Sequence, residues 1–168
     1  MSVTGLDRVR EGLTAYLIER GIHAVTAWPA EGRKRHGRPV VAVSLEEVRS
    51  GSSGFQNYLG ERYNPETCRW EELYGKKLNL TFGLHIYAGR EDGAAGCAAC
   101  FDALAGALSA GGPEWLRLGS LSCGQTSFDQ DTGMFLCPVK LNASAWLYAA
   151  AQEDGGALLD FEVRGVWK

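Results

Sequence analysis

Residues 78–87 alternate without a fault. Leu78, Leu80, Phe82, Leu84 and Ile86 fall on one side, and Asn79, Thr81, His85 and Tyr87 on the other. Period-2 alternation of this length commits the segment to a β-strand with one face on a core and the other in water or against a partner. A chain built around such a strand must pair its edges and cover its apolar face.

The rest of the sequence supplies what that strand needs. Leu6, Val9, Leu13, Tyr16 and Leu17 recur at helical spacing. Thr4-Gly-Leu-Asp7 precedes them in the form of a capping box, and Gly21 stands where a left-handed stop belongs, which predicts a helix over 4–20. Residues 22–28 read as a short strand ended by Pro29. Residues 39–45 read as the second arm of a hairpin, with Val41, Val43 and Leu45 on one face. Cys97, Phe101, Leu104, Ala105 and Leu108 mark a second amphipathic helix, closed by Gly111-Gly112-Pro113. Residues 115–128 and 134–148 form strands around the turn at 129–133. After Asp154-Gly-Gly156 a last strand alternates through Leu159, Phe161, Val163 and Trp167. The order is helix, hairpin, long connection, strand, helix, three strands. It predicts an α+β fold, a largely antiparallel or mixed sheet with both helices on one face. At 168 residues and 45% hydrophobic composition, one domain spanning 1–168 with a sizeable core is expected.

The long connection, 49–76, is the departure from pattern. It opens Ser50-Gly-Ser-Ser-Gly54, carries no sustained apolar period, and places Phe55, Tyr58, Tyr63, Trp70 and Tyr74 among charged residues. Long connections without structure of their own are uncommon in compact domains, and disordered ones are poor in aromatics. An ordered arm or flap is therefore expected. Its rings pack either over the chain's own core, with Phe55, Tyr58 and Trp70 as anchors, or against another subunit. Tyr58, Arg62, Tyr63 and Trp70 are of the types enriched at interfaces. Phe55, Tyr58, Leu59, Arg62, Tyr63 and Trp70 form the candidate contact set.

A second candidate is the basic run Arg33, Lys34, Arg35, His36 and Arg38, placed at the tip of the expected hairpin. Four cations on one loop suit phosphate or an acidic neighbour. The net charge of −3 argues against a dedicated nucleic-acid binder.

Catalytic and metal motifs are weak. Cys97-Ala-Ala-Cys100 has the spacing of a redox or zinc pair but no second pair, and Cys97 shares a helical face with Phe101 and Leu104, so core packing is expected. Asp129-Gln-Asp131-Thr-Gly133 opens like a calcium loop, yet Lys140 stands where the bidentate Glu belongs, and a plain turn is expected. His23, His36 and His85 sit on separate elements, and Ser122-Cys123-Gly124 lacks the flanks of a nucleophile elbow. No P-loop and no G-x-G-x-x-G occurs. A non-enzymatic protein without cofactor or metal is expected. Five cysteines, an odd number in a chain with a real core, suggest reduced thiols. No apolar run spans a bilayer and the first residues lack signal-peptide character, so cytoplasmic synthesis and no membrane association are expected.

In element order the chain resembles the tail terminator, or tail completion, proteins of tailed bacteriophages and prophages. The resemblance rests on the helix around Leu6-Asp-Arg-Val-Arg-Glu, the segment 33–45, Gly54-Phe-Gln-Asn-Tyr-Leu-Gly-Glu-Arg-Tyr63, and Trp70-Glu-Glu-Leu-Tyr-Gly-Lys-Lys-Leu-Asn-Leu-Thr-Phe82 leading into a long strand and helix. It implies a mixed sheet flanked by helices, assembled as a homo-oligomeric, hexameric ring in the virion tail. Such a ring stops growth of the tail tube and joins it to head-completion proteins. DNA passes through the opening. The basic tip Arg33, Lys34, Arg35 and Arg38 is expected near that DNA path or against the neighbouring ring. Two alternatives stand beside it: another neck or tube ring subunit, or a small-ligand-binding α+β domain in which His85, Tyr87 and the flap enclose a pocket.

Overall fold

The structure, a computed structural model, describes residues 5–26, 37–52, 58–151 and 161–164. Its elements run α1 (Gly5–Glu19), β1 (Ala24–Val25), β2 (Val40–Ser52), β3 (Tyr58–Asn64), β4 (Arg69–Ala88), α2 (Gly93–Ser109), β5 (Arg117–Cys123), β6 (Ser127–Asp129), β7 (Met134–Cys137), β8 (Val139–Ala151) and β9 (Phe161–Arg164). The fold is α+β, as the sequence predicts, with one mixed sheet among the described residues.

The sheet is organised around β4, which is 20 residues long. At about 3.3 Å per residue such a strand reaches some 65 Å. One of its edges pairs β2 over Lys76–Tyr87 and then β3 over Arg69–Tyr74, both antiparallel. The other edge pairs β8 over Glu72–Gly83 and β7 over Ile86–Ala88. Beyond β7 and β8 lie β6, β5 and β9, each antiparallel to its neighbour. The predicted strands around 129–133 are thus present but interrupted. Gly124 and Pro138 face each other at the break, Gly124 N–H donating to the Pro138 carbonyl at 2.7 Å.

Both helices cover the same sheet face. Val9, Leu13 and Leu17 of α1 and Cys97, Leu104 and Leu108 of α2 share one core with Leu78, Leu80, Phe82, Leu84 and Ile86. The two helices are joined by Tyr16, whose hydroxyl donates to the Gly111 carbonyl at 2.8 Å. At the end of α1 the backbone follows the Schellman pattern. Ile22 N–H bonds Leu17 O and Gly21 N–H bonds Ile18 O, with Gly21 at φ +82°. Thr4 of the predicted capping box lies outside the described residues.

Two expectations are corrected. Residues 22–45 do not form a hairpin: β1 pairs β2 in parallel, Ala24 with Val41 and Val25 with Ala42. A tight turn cannot join parallel strands, which excludes the expected hairpin. The segment 49–76 is also not a connection without structure of its own. Residues 49–52 finish β2, 58–64 are β3 and 69–76 open β4, so the arm is a paired ribbon whose strands continue those of the core. Apolar periodicity misses it because rings and charges, not aliphatic side chains, occupy its alternating positions.

Candidate functional site: the aromatic arm and the open sheet face

The ribbon of β3 and the first turn-side half of β4 closes through residues 65–68. Glu66 N–H donates to Asn64 Oδ1 at 2.9 Å, an Asx turn, and Cys68 takes a left-handed φ of +53°. Register then sets the ribbon's faces. Tyr63 pairs Trp70, Glu61 pairs Glu72, and Tyr58 pairs Tyr74 across a bulge at Gly60. Directly paired residues share a face, so four rings and two carboxylates line one side.

The rings meet edge-on in two couples, Tyr58 with Tyr74 at 5.5 Å and Tyr63 with Trp70 at 5.7 Å between centroids. None is buried against the core: Trp70 is 61% exposed, Tyr63 50%, Tyr58 41% and Tyr74 37%. The Tyr74 hydroxyl donates to Glu72 Oε2 at 2.6 Å. That bond, then burial, then the Glu72 charge raise the Tyr74 pKa. Tyr58 is raised by burial first and then by the Glu61 and Glu72 charges. Glu61 and Glu72 stand directly opposite, and no cation pairs with either among the described residues.

The ribbon's other side is held together internally. Glu71, with its side chain 5% exposed, accepts from Asn64 Nδ2 at 2.7 Å and from Arg62 Nε at 3.1 Å. The Asn64 bond lowers the Glu71 pKa, burial opposes it, and the Arg62 bond and charge lower it further. Leu73 is buried beside it. Of the candidate contact set, Tyr58, Tyr63 and Trp70 therefore share the exposed face, while Arg62 serves the ribbon's own structure. Leu59 contributes backbone to β3, and Phe55 lies outside the described residues.

The second surface is the sheet face that the helices leave open. Thr81 Oγ1 donates to Asn142 Oδ1 at 3.2 Å, and Asn142 Nδ2 to Ser120 Oγ at 2.9 Å. A bulge between Leu45 and Glu47 turns Glu46 over this face. There it meets His85 Nε2 at 3.0 Å and Lys140 Nζ at 3.6 Å. Gly83 leaves the room, since a Cβ there would sit 2.5 Å from Glu46 Oε1. Next to this cluster a shallow groove of about 520 Å³ is lined by Arg49, Asn79, Thr81, Arg117, Asn142 and Ser144, among others. Arg49 pairs with Glu47 at 2.8 Å, whereas Arg117 is exposed and makes no ion pair among the described residues.

The remaining candidates resolve as follows. Arg33, Lys34 and Arg35 lie outside the described residues, and Arg38 is exposed just before β2. Cys97 is buried with its thiol facing the Phe135 carbonyl at 3.7 Å, and burial pushes its pKa up to about 11. Cys100 is raised by burial as well. Both are neutral packing groups at ordinary pH. Asp129 spends its carboxylate on its own turn, accepting from Asp131 N–H at 3.1 Å and from Thr132 Oγ1 at 2.8 Å. No three His, Cys, Asp or Glu side chains gather as a metal site among the described residues, and no described helix is long and apolar enough to cross a membrane. Among the described residues the ring face stays clear of His85, because Tyr74 and His85 lie eleven positions apart on one strand, roughly 35 Å.

No protein-family model matches the chain, and no curated protein sequence matches it either.

Three features of these surfaces are not legible in the sequence reading: Tyr74 as a member of the ring face, the opposed Glu61 and Glu72, and Arg117 in the groove. The first was within reach, since Trp70 and Tyr74 keep the parity of Leu78. The other two depend on cross-strand register, which a single strand's sequence does not carry.

Proposed function

We propose that the chain is a structural subunit of a phage or prophage tail, forming the homo-oligomeric ring that terminates the tail tube and offers the head-joining surface. One observation carries the reading: an arm continuous with the core strands presents four partly exposed rings on one face. Monomeric proteins rarely leave a contiguous ring cluster in water, and aromatic residues are the usual anchors of protein interfaces. The second support is chemical. The open sheet face carries internal hydrogen bonds, and its groove, as the described residues line it, is shallow and polar rather than the enclosed, apolar pocket that small-molecule sites use. A hexameric ring and partnership with tube and head-completion proteins follow from the resemblance in element order. Arg33, Lys34, Arg35 and Arg38 are assigned to the DNA path or to the neighbouring ring, on their charge alone.

The test is localisation in the particle. Gold-labelled antibody against the chain is expected at the head-proximal end of the tail, and loss of the gene is expected to leave tubes of irregular length without heads. Label elsewhere on the virion would reassign the chain to another neck or tube ring, and label absent from particles would end the reading.

A further inference from the structure

The ring face of the arm has a physical defect when the chain stands alone. Glu61 and Glu72 are direct cross-strand partners, and like charges so placed destabilise a sheet. Among the described residues Glu72 accepts from the Tyr74 hydroxyl, Glu61 acts on Tyr58 through its charge, and neither carboxylate pairs with a cation. A partner that brings a cation between them removes the repulsion. The same chain carries a fitting surface elsewhere: a groove with Arg117 exposed and without an ion pair among the described residues, and Arg49 on its opposite side. Its other walls, Asn79, Thr81, Asn142 and Ser144, offer hydrogen bonds to tyrosine hydroxyls and the indole N–H.

We propose that the ring face of one copy docks in the groove of a second copy, with Glu61 and Glu72 reaching Arg117 of that second chain. The contact is head-to-tail, since the arm and the groove are different patches on opposite faces of the sheet. Contacts of this kind close into rings or run on as filaments. Four half-exposed rings present on the order of 400 Å², about half of the roughly 800 Å² each partner buries in a stable interface. The groove's flanks around Leu118 and Arg49 supply further area. This docking rests on the reading of the chain as a self-assembling subunit and specifies which surfaces do it.

Sedimentation velocity of the full chain over a concentration series tests it. Wild type is expected to associate. The arm variant Glu61→Arg/Glu72→Arg and the groove variant Arg117→Glu are each expected to weaken association on the order of a hundredfold. Mixing the two variants restores it, because each reversed patch then meets its complement, and the rescue also shows both chains to be folded. An arm-to-arm contact would instead leave Arg117→Glu unaffected. Assembly that survives Arg117→Glu overturns the docking and leaves the ring reading standing. A wild-type chain that stays monomeric throughout also overturns the docking, while antibody labelling of particles decides the ring reading separately.

Discussion

The two halves of β4 run on one backbone with one alternation, yet they bury opposite sides. In the core half, the even positions from Leu78 to Ala88 lie under the helices, and Asn79, Thr81 and His85 face outward. In the arm half, Glu71 and Leu73 are the buried ones, and Trp70, Glu72 and Tyr74 stand exposed. The crossover falls at Gly75-Lys76-Lys77, between the two buried parities. Burial is thus decided by what lies over a strand and not by its period. The apolar parity that builds the core becomes, a few residues earlier, a parity of rings with nothing of the described chain on top.

Substitutions that treat the halves alike should separate them. The largest effect belongs to the core half: Phe82→Ala removes a fully buried ring and should cost about 3–5 kcal/mol in urea unfolding. In the arm, Arg62→Ala leaves Asn64 as the one partner of the buried Glu71 among the described residues and should cost about 1–2 kcal/mol by the same measurement. Gly83→Ala comes next, since its Cβ would collide with Glu46 and Ser44. Both clashing atoms end flexible side chains, so a cost at the low end of overpacking, about 1 kcal/mol, is expected, and no loss at all would mean Glu46 swings away freely.

Acid should act on the arm through Glu71. Its folded-state pKa lies below the ordinary 4.5, so its bonds stabilise above that value, and the contribution is lost as pH falls through the folded-state value. Wild type should therefore lose its advantage over Glu71→Gln in strong acid, and an advantage that persists there would assign the difference to packing. Trp70→Ala should have the smallest effect on stability, about 0.5 kcal/mol or less in thermal unfolding, while weakening self-association. A large drop in melting temperature for the monomer would show the ring to be an anchor of the fold.

Legibility in the sequence followed the same division. The 78–87 strand, both helices and the 129–133 turn were readable because each buries aliphatic side chains at its own period or carries its own stop. The parallel pairing of β1 was not, since two residues leave no pattern and pairing direction is set by the connection's path. The ribbon was recognised as ordered and aromatic but not as strands. Its alternation runs through Tyr, Trp and Glu, and a glycine and two lysines at 75–77 hide its continuity with the core. Cys97 and Asp129 were legible as structural because their alternatives required ligands the sequence lacks.

The continuity of β4 also has a mechanical meaning. Hydrogen bonds in the sheet lie across the strands, and between Lys76 and Gly83 β4 is bonded on both edges, to β2 and to β8. A pull on the arm along its length therefore cannot peel rungs off one at a time. It loads two ladders sideways and together, so the arm behaves as a tether sunk into the sheet, and force at its tip is delivered to the core as shear.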